Sequence, residues 1–398
     1  SDENLEYFDK KLSNKSIQYI NIGVTSKEKA ISFKNKNKNN EISNHDLLLP
    51  LDSLIRSYEE TASKLEKQQC LESCVDTEMD FILSHFDSKQ DINQDINHIK
   101  YTAKSYYYIP EQVLDFCKEF TLDIDVDEDF QCGNDILTMN RNCGKTVLIL
   151  REEGSNGDKE MCAIFKYLGF NIINYNTNLL LLNPDILTKV DGIVFVGGFS
   201  YSDMLGAGKC WKLKLESNSD LYDKLKSVIC DSSKFIIGVC NGFQLLIEMG
   251  IFGECIRLKE NHSGRFESRF LPINVVSDQS LFTRNMLNTN FGMWIAHKSG
   301  RISIADKESI NRDYIPVLKY NLNGLNSDES DTTKSNNYPM NPNGSDENIA
   351  GISSLDGSIL GLMPHFERSF IKYQLPYIPS AYRNINIPPW LYLIQNLC

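Results

Sequence analysis

Phe235-Ile236-Ile237-Gly238-Val239-Cys240-Asn241-Gly242-Phe243-Gln244-Leu245-Leu246 runs from β-forming apolar residues through a Gly-x-Cys-x-Gly turn into a helical pattern. That spacing belongs to a strand–turn–helix elbow that presents a nucleophile, here a cysteine. The turn is too sharp for side chains on either flank, so glycine stands at 238 and 242, and Cys240 is forced into a strained, exposed position above the sheet. It lies just before a helix N-terminus, whose free N–H groups and positive dipole end favour a thiolate and an oxyanion. An isolated cysteine at a strand end is more often a buried, unreactive thiol. The two glycines and the strand–helix context turn the reading toward catalysis.

An elbow needs a base. Downstream, Ile359-Leu360-Gly361-Leu362-Met363-Pro364-His365-Phe366-Glu367-Arg368 is an apolar strand followed by His365 and Glu367. In an extended segment residues i and i+2 project to the same side. Glu367 can therefore orient His365 and stabilise its imidazolium while the other ring nitrogen faces the thiol, which gives nucleophile, base and orienter. A third piece is Asp191-Gly192-Ile193-Val194-Phe195-Val196-Gly197-Gly198-Phe199-Ser200-Tyr201, a buried-type strand ending in two glycines. Backbone N–H groups near Gly198 or Phe199, with that of Asn241, are candidates to hold a developing oxyanion.

Residues 145 to about 392 resemble the class I (triad) glutamine amidotransferases. More narrowly, they resemble the glutaminase domain of formylglycinamide ribonucleotide amidotransferases. The resemblance rests on Leu150 to Asp158, Gly197 to Asp203, Gly238 to Gly242, Ser263-Gly264-Arg265-Phe266-Glu267-Ser268-Arg269-Phe270, Asn341-Pro342-Asn343-Gly344-Ser345 and Met363 to Arg368. It implies that the Cys240 thiolate attacks the carboxamide of L-glutamine. His365 would move the proton to departing ammonia, and water would hydrolyse the γ-glutamyl thioester. It further implies that Gln244, Ala296 and His297, with Lys298 and Ser299, help hold glutamine. Ammonia would pass to a synthetase portion of the same polypeptide, where ATP and Mg would be used; no cofactor is expected on this chain. Two departures stand out. Phe366 occupies the place of a proline between His and Glu, and Lys298-Ser299-Gly300 replaces Gly-Glu-Gly. Two alternatives stay open: another elbow-type cysteine hydrolase, such as a γ-glutamyl hydrolase relative, and a non-catalytic docking or glutamine-sensing module.

The chain has 398 residues, enough for two domains, and a net charge of −12, which argues against nucleic-acid or anionic-membrane partners. No apolar run approaches the roughly 18 residues of a membrane helix, and Ser1-Asp2-Glu3-Asn4 does not open a signal peptide. The lack of an initiating Met suggests a fragment or a processed chain. Eleven cysteines without a framework fit free thiols in a reducing, cytoplasmic compartment. Cys70 and Cys74 lack a second ligand pair at zinc-like spacing.

Residues 1–140 read as the α+β tail of a synthetase portion plus a linker, and 145–398 as the glutaminase domain. Short strands are expected at Gln18–Val24 and Ala30–Phe33, then a polar Lys/Asn insert from Lys34, and a helix from about Leu48 to Gln69. The repeat Asp91–Asn97 reads as loop, and the acidic stretch Asp123–Asp129 as a linker or edge strand without the glycine and glutamate of a calcium loop. No phosphate-binding Gly-rich loop occurs, so the ATP-using body that the resemblance implies is expected upstream of residue 1. From Lys145, strands and helices alternate, so the predicted fold is α/β: a mostly parallel sheet flanked by helices, flavodoxin-like. Phe270–Val276, Met293–His297, Arg301–Ile304 and Val317–Tyr320 are expected to form an antiparallel side sheet, and Asn321–Tyr338 a long polar loop.

Overall fold

Runs such as Thr146–Arg151 and Gly192–Phe195 are buried on both faces, as central parallel strands must be. In the computed structural model, which describes residues 30–33, 47–84, 107–120, 143–322 and 337–398, they form the centre of one large sheet. The strands are β1 (Ala30–Phe33), β2 (Leu47–Pro50), β3 (Thr146–Arg151), β4 (Asn171–Asn176), β5 (Gly192–Phe195), β6 (Phe235–Val239) and β7 (Ile256–Lys259). There follow β8 (Glu267–Val275), β9 (Asn290–His297), β10 (Arg301–Ile304), β11 (Ile315–Tyr320), β12 (Ile349–Ser353) and β13 (Ile359–Leu362). Nine of them pair in the order β4-β3-β5-β6-β13-β12-β11-β8-β9. From β4 to β13 the pairing is parallel, and from β13 to β9 it is antiparallel.

The helix Asp158–Tyr167 carries the chain from β3 to β4, and Lys209–Glu216 with Ser219–Ile229 carries it from β5 to β6. Asn218 caps the Ser219–Ile229 helix, its side chain accepting from the Leu221 N–H at 3.0 Å. The antiparallel strands foreseen at 270–276, 293–297 and 317–320 extend the parallel sheet as β8, β9 and β11. Arg301–Ile304 leaves it and pairs with β7 in a ribbon of its own.

By compactness the described residues fall into two units. In one, β1 and β2 pair antiparallel and lead into the helix Leu51–Glu66. The expected helix start at Leu48 is thus displaced by a strand ending at Pro50, which lacks the N–H a strand or helix interior would use. The second unit holds 61–82 and the described residues from 107 onward. Within it, Tyr108 bridges Asn290 of β9, and the helix Glu111–Glu119 buries Val113 and Cys117. Gln18–Val24, the Lys/Asn insert, Asp91–Asn97, Asp123–Asp129 and most of the 321–338 loop lie outside the described residues.

Not every thiol is free. Cys143 and Cys398 form a disulfide across a Cα separation of 5.1 Å. The sequence reading missed the pair because the two lie 255 residues apart and only the fold returns the C-terminus to the start of β3. Cys240 is among the free cysteines, as are Cys70 and Cys74.

Leu148 is fully buried in β3 between Ile173 and Ile193 of the flanking strands. Leu148→Ala is expected to cost about 2–5 kcal/mol in urea unfolding through lost burial and a cavity. A loss below about 1 kcal/mol would contradict this packing.

Candidate active site

β5, β6 and β13 are neighbours, and their carboxyl ends bring Gly198, Cys240 and His365 to one place, as ligand sites in such sheets require. Cys240 has φ 51° and ψ −105°, a conformation an L-residue adopts only when its surroundings enforce it. The enforcing contacts are visible. A Cβ on Gly242 would stand 2.0 Å from the Phe195 carbonyl oxygen, and one on Gly238 would stand 2.8 Å from that of Gly242. The Cys240 N–H donates to the Leu362 carbonyl at 2.8 Å, which ties the elbow to the end of β13. One expectation is corrected: the nucleophile is strained but not exposed. Cys240 is only 3% accessible, with its thiol facing the Ala296 carbonyl at 3.7 Å, because β9 covers it.

His365 and Glu367 meet as expected, Nδ1 to Oε1 at 2.5 Å, and both are buried. The backbone differs from the extended one foreseen: His365 leads into a 3-10 turn, Phe366–Arg368. The turn suits Phe366, which is fully buried. The His365 N–H donates to the Trp294 carbonyl at 2.7 Å, and Arg368 donates to Asn156 at 2.9 Å, so strand β9 and the loop after β3 hold the turn from both sides.

Burial alone would lower the His365 pKa. The Glu367 carboxylate and then Cys240 outweigh it and push it up to about 9. Its Nε2 is buried without a partner at ordinary hydrogen-bond distance. His297, also buried, is pushed the other way, to about 3, by burial and then by the charge of His365. Its Nδ1 lies 3.2 Å from Asn261 Oδ1, which fixes the proton there, and its Nε2 is likewise unpartnered.

The oxyanion donors need one correction. The Phe199 N–H is taken, donating to the Gly154 carbonyl at 2.9 Å. Gly198 is the non-hydrogen-bonded member of an isolated bridge to Ser155, so its N–H lies outside that bridge's bonds. Asn241 opens the elbow helix, where first-turn N–H groups have no helical partner. Of the three donors read from the sequence, Gly198 and Asn241 therefore remain.

Gln244 is committed within the protein. Its Oε1 accepts from Asn241 Nδ2 at 2.9 Å, and its Nε2 donates to the Ser299 carbonyl at 2.6 Å. Asn241 Oδ1 in turn accepts from the Ser200 N–H at 3.1 Å. Lys298, which replaces a glycine, points outward to within 4.0 Å of Glu260. Sequence reasoning missed Asn261, which donates to the His297 carbonyl at 2.7 Å and accepts from the Gly300 N–H at 3.2 Å. It also missed Asn343, which donates to the Gly300 carbonyl and the Tyr320 hydroxyl at 2.8 and 2.9 Å. The segment Asn341–Ser345 signalled the second; nothing signalled the first.

Residues 145–398 match the family of the CobB/CobQ-like glutamine amidotransferase domain. The chain belongs to this family. Among curated relatives, the probable phosphoribosylformylglycinamidine synthase of Arabidopsis thaliana (chloroplastic/mitochondrial) is 34% identical over 270 residues, which are 65% of this chain and 19% of that protein. The phosphoribosylformylglycinamidine synthase of Drosophila melanogaster is 29% identical over 364 residues, 87% of this chain and 24% of its own length. The chain thus spans about a fifth to a quarter of these relatives. A chain of the Thermotoga maritima PurLQS structure aligns with a TM-score of 0.47 at 25% identity, covering 64% of this chain and 97% of its own.

The opposed histidine shifts have a sign that can be checked. Relative to an unfolded value of about 6.5, His365 stabilises the fold below pH 6.5, and that contribution is lost as pH rises through about 9. His297, kept neutral, opposes folding as pH falls below 6.5. In an NMR titration His365 should titrate near 9 and His297 should not titrate between pH 5 and 10. Glu367→Gln should bring the His365 midpoint below its ordinary value, because burial then acts with less opposition. An unmoved midpoint would contradict the pairing.

Proposed function

We propose that this chain hydrolyses L-glutamine to glutamate and ammonia through a Cys240 thioester. The observation that carries the reading is the convergence of a strained Cys240, the buried His365–Glu367 pair and the two backbone donors of Gly198 and Asn241 at the ends of adjacent strands. At neutral pH His365 holds a proton on each nitrogen, one of them toward Glu367. The Nε2 proton is the one His365 takes from the Cys240 thiol, and the thiolate sulfur so formed attacks the side-chain carbonyl carbon of glutamine. The Gly198 and Asn241 N–H groups receive the oxyanion, and His365 delivers the Nε2 proton to the departing ammonia. His365, now neutral, takes a proton from water, which attacks the thioester, releases glutamate and restores the pair.

The roles of the neighbouring residues follow from what is left unpaired. His297 Nε2, neutral and an acceptor, suits an N–H of the bound glutamine, beside the Ala296 carbonyl. Gln244 acts by holding Ser299 in place. The names of the relatives extend the proposal: ammonia would serve a synthetase portion of a longer polypeptide, converting formylglycinamide ribonucleotide to its amidine in purine biosynthesis. ATP and Mg would act in that portion. Among the described residues no group of three or more His, Cys, Asp or Glu is arranged to hold a metal ion, so no step here is drawn through one. No described helix is long and apolar enough to cross a membrane.

Cys240→Ala is expected to lower glutamate release by about 10⁴-fold or more, and His365→Gln by a similar factor, without additivity in the double variant. Glutamate release within about tenfold of the parent in Cys240→Ala would overturn the assignment.

A further inference from the structure

The helix Glu72–Ser84 precedes the amidotransferase domain in sequence, yet it is held to the domain by a cluster of charges. The Glu78 carboxylate receives Arg269 Nη1 at 2.6 Å, Arg269 Nη2 at 2.9 Å and Arg265 Nη2 at 2.9 Å. Behind it, Glu267, 1% accessible, receives Arg265 Nε at 3.2 Å and Arg269 Nε at 2.7 Å. The Tyr338 hydroxyl joins both carboxylates and both guanidinium groups. Glu78 and Glu267 are thus shared between the two guanidinium groups. Burial raises the Glu78 pKa, but Arg269 and Arg265 outweigh that and hold it below the usual carboxylate range. Two further ties fix the same segment: the Leu71 N–H donates to the Ser263 carbonyl at 2.9 Å, and Arg265 Nη1 meets Glu66 at 2.9 Å.

The cluster sits at the start of β8, and β8 is what the glutamine-facing stretch hangs on. Glu267 is the register partner of His297, and Ser268 that of Ala296. The Arg265 carbonyl accepts from Asn261 Nδ2 at 3.0 Å, and the same Asn261 holds the His297 carbonyl, the Gly300 N–H and, through its own N–H, the Lys298 carbonyl. Cys240 and His365 are carried by the ends of β6 and β13 and touch β9 only through the Ala296 and Trp294 carbonyls. A disturbance at Arg265 and Arg269 therefore reaches residues 296–300 before it reaches the nucleophile.

We infer that Glu78 is a positioning residue for the glutamine pocket: through Arg265, Arg269 and Glu267 the helix N-terminal to the domain sets residues 296–300, and with them glutamine affinity, while the strained backbone of Cys240 is held from β6 and β13. The inference rests on the proposed glutaminase reading. Without Glu78, Arg269 keeps only the Glu267 carboxylate, which it shares with Arg265, while Arg265 also holds Glu66, and the β8 start at Arg269 must move or hydrate.

The test uses the full chain and two thiol reagents followed by peptide mass at Cys240. One is a diazoketone analogue of glutamine, which must occupy the pocket; the other is iodoacetamide, which need not. Glu78→Gln should raise the half-saturating concentration of the analogue about tenfold, with its limiting rate and the iodoacetamide rate within about threefold of the parent. Glu78→Asp, which keeps the charge, should recover most of the affinity. Equal half-saturation in parent and Glu78→Gln would overturn the inference, as would parallel loss of both labels, since that would make the cluster a support of the whole fold. If Glu78→Gln does not fold, Arg265→Lys, which keeps the charge and removes the fork, is read by the same criteria. Failure of glutamine to protect Cys240 in the parent chain would instead overturn the glutaminase reading itself.

Discussion

The approach of the elbow helix to β5 is the constraint on which the rest of this site depends. Gly242 lies so close to the Phe195 carbonyl that no side chain fits between them. That contact fixes where the helix Asn241–Glu248 begins, and so leaves Cys240 to make the turn at positive φ. The strain costs about 1–3 kcal/mol. It is offset by the surrounding sheet, in which Phe235 to Val239 are all buried and bonded to strands on both sides. The same geometry brings the turn after β5 beside the elbow, where a Cβ on Gly197 would stand 3.5 Å from that of Cys240. On the proposed reading, nucleophile and oxyanion donors follow from one steric fact.

Electrostatics completes what sterics begins. Two buried histidines sit at the site with their pKa values driven apart, His365 upward by Glu367 and Cys240, His297 downward by burial and by His365. Such a separation fits the proposed roles, in which one ring moves protons and the other is a fixed acceptor. The water-poor surroundings strengthen the His365–Glu367 pair and, for the same reason, forbid a second charge at His297.

Much of this was legible in the sequence because the elbow, the Gly-Gly turn and the His-x-Glu segment are local patterns with local physical causes. The βαβ order from Lys145 likewise predicted the parallel half of the sheet. What escaped was non-local. That β9 folds over the elbow and buries Cys240 follows from strand order in space, which no spacing in the chain discloses. The Phe199 N–H was misassigned because its partner, Gly154, lies in a loop after a different strand. His365 and Glu367 meet in a 3-10 turn because Phe366 is drawn into the core, a packing preference that a two-residue spacing does not encode. Asn261 offered no signal, since its side-chain partners Arg265, His297 and Gly300 lie up to 39 residues away. The Cys143–Cys398 pair is invisible for the same reason at greater range.

The central claim is that Cys240 carries the γ-glutamyl group between glutamine and water. It is tested most directly by acid-quenching the chain during turnover of isotopically labelled glutamine and weighing the peptide that contains Cys240. The account predicts labelled γ-glutamyl adduct on Cys240 alone, absent from Cys240→Ala. Release of labelled glutamate with Cys240 unmodified, or an adduct on another residue, would contradict it.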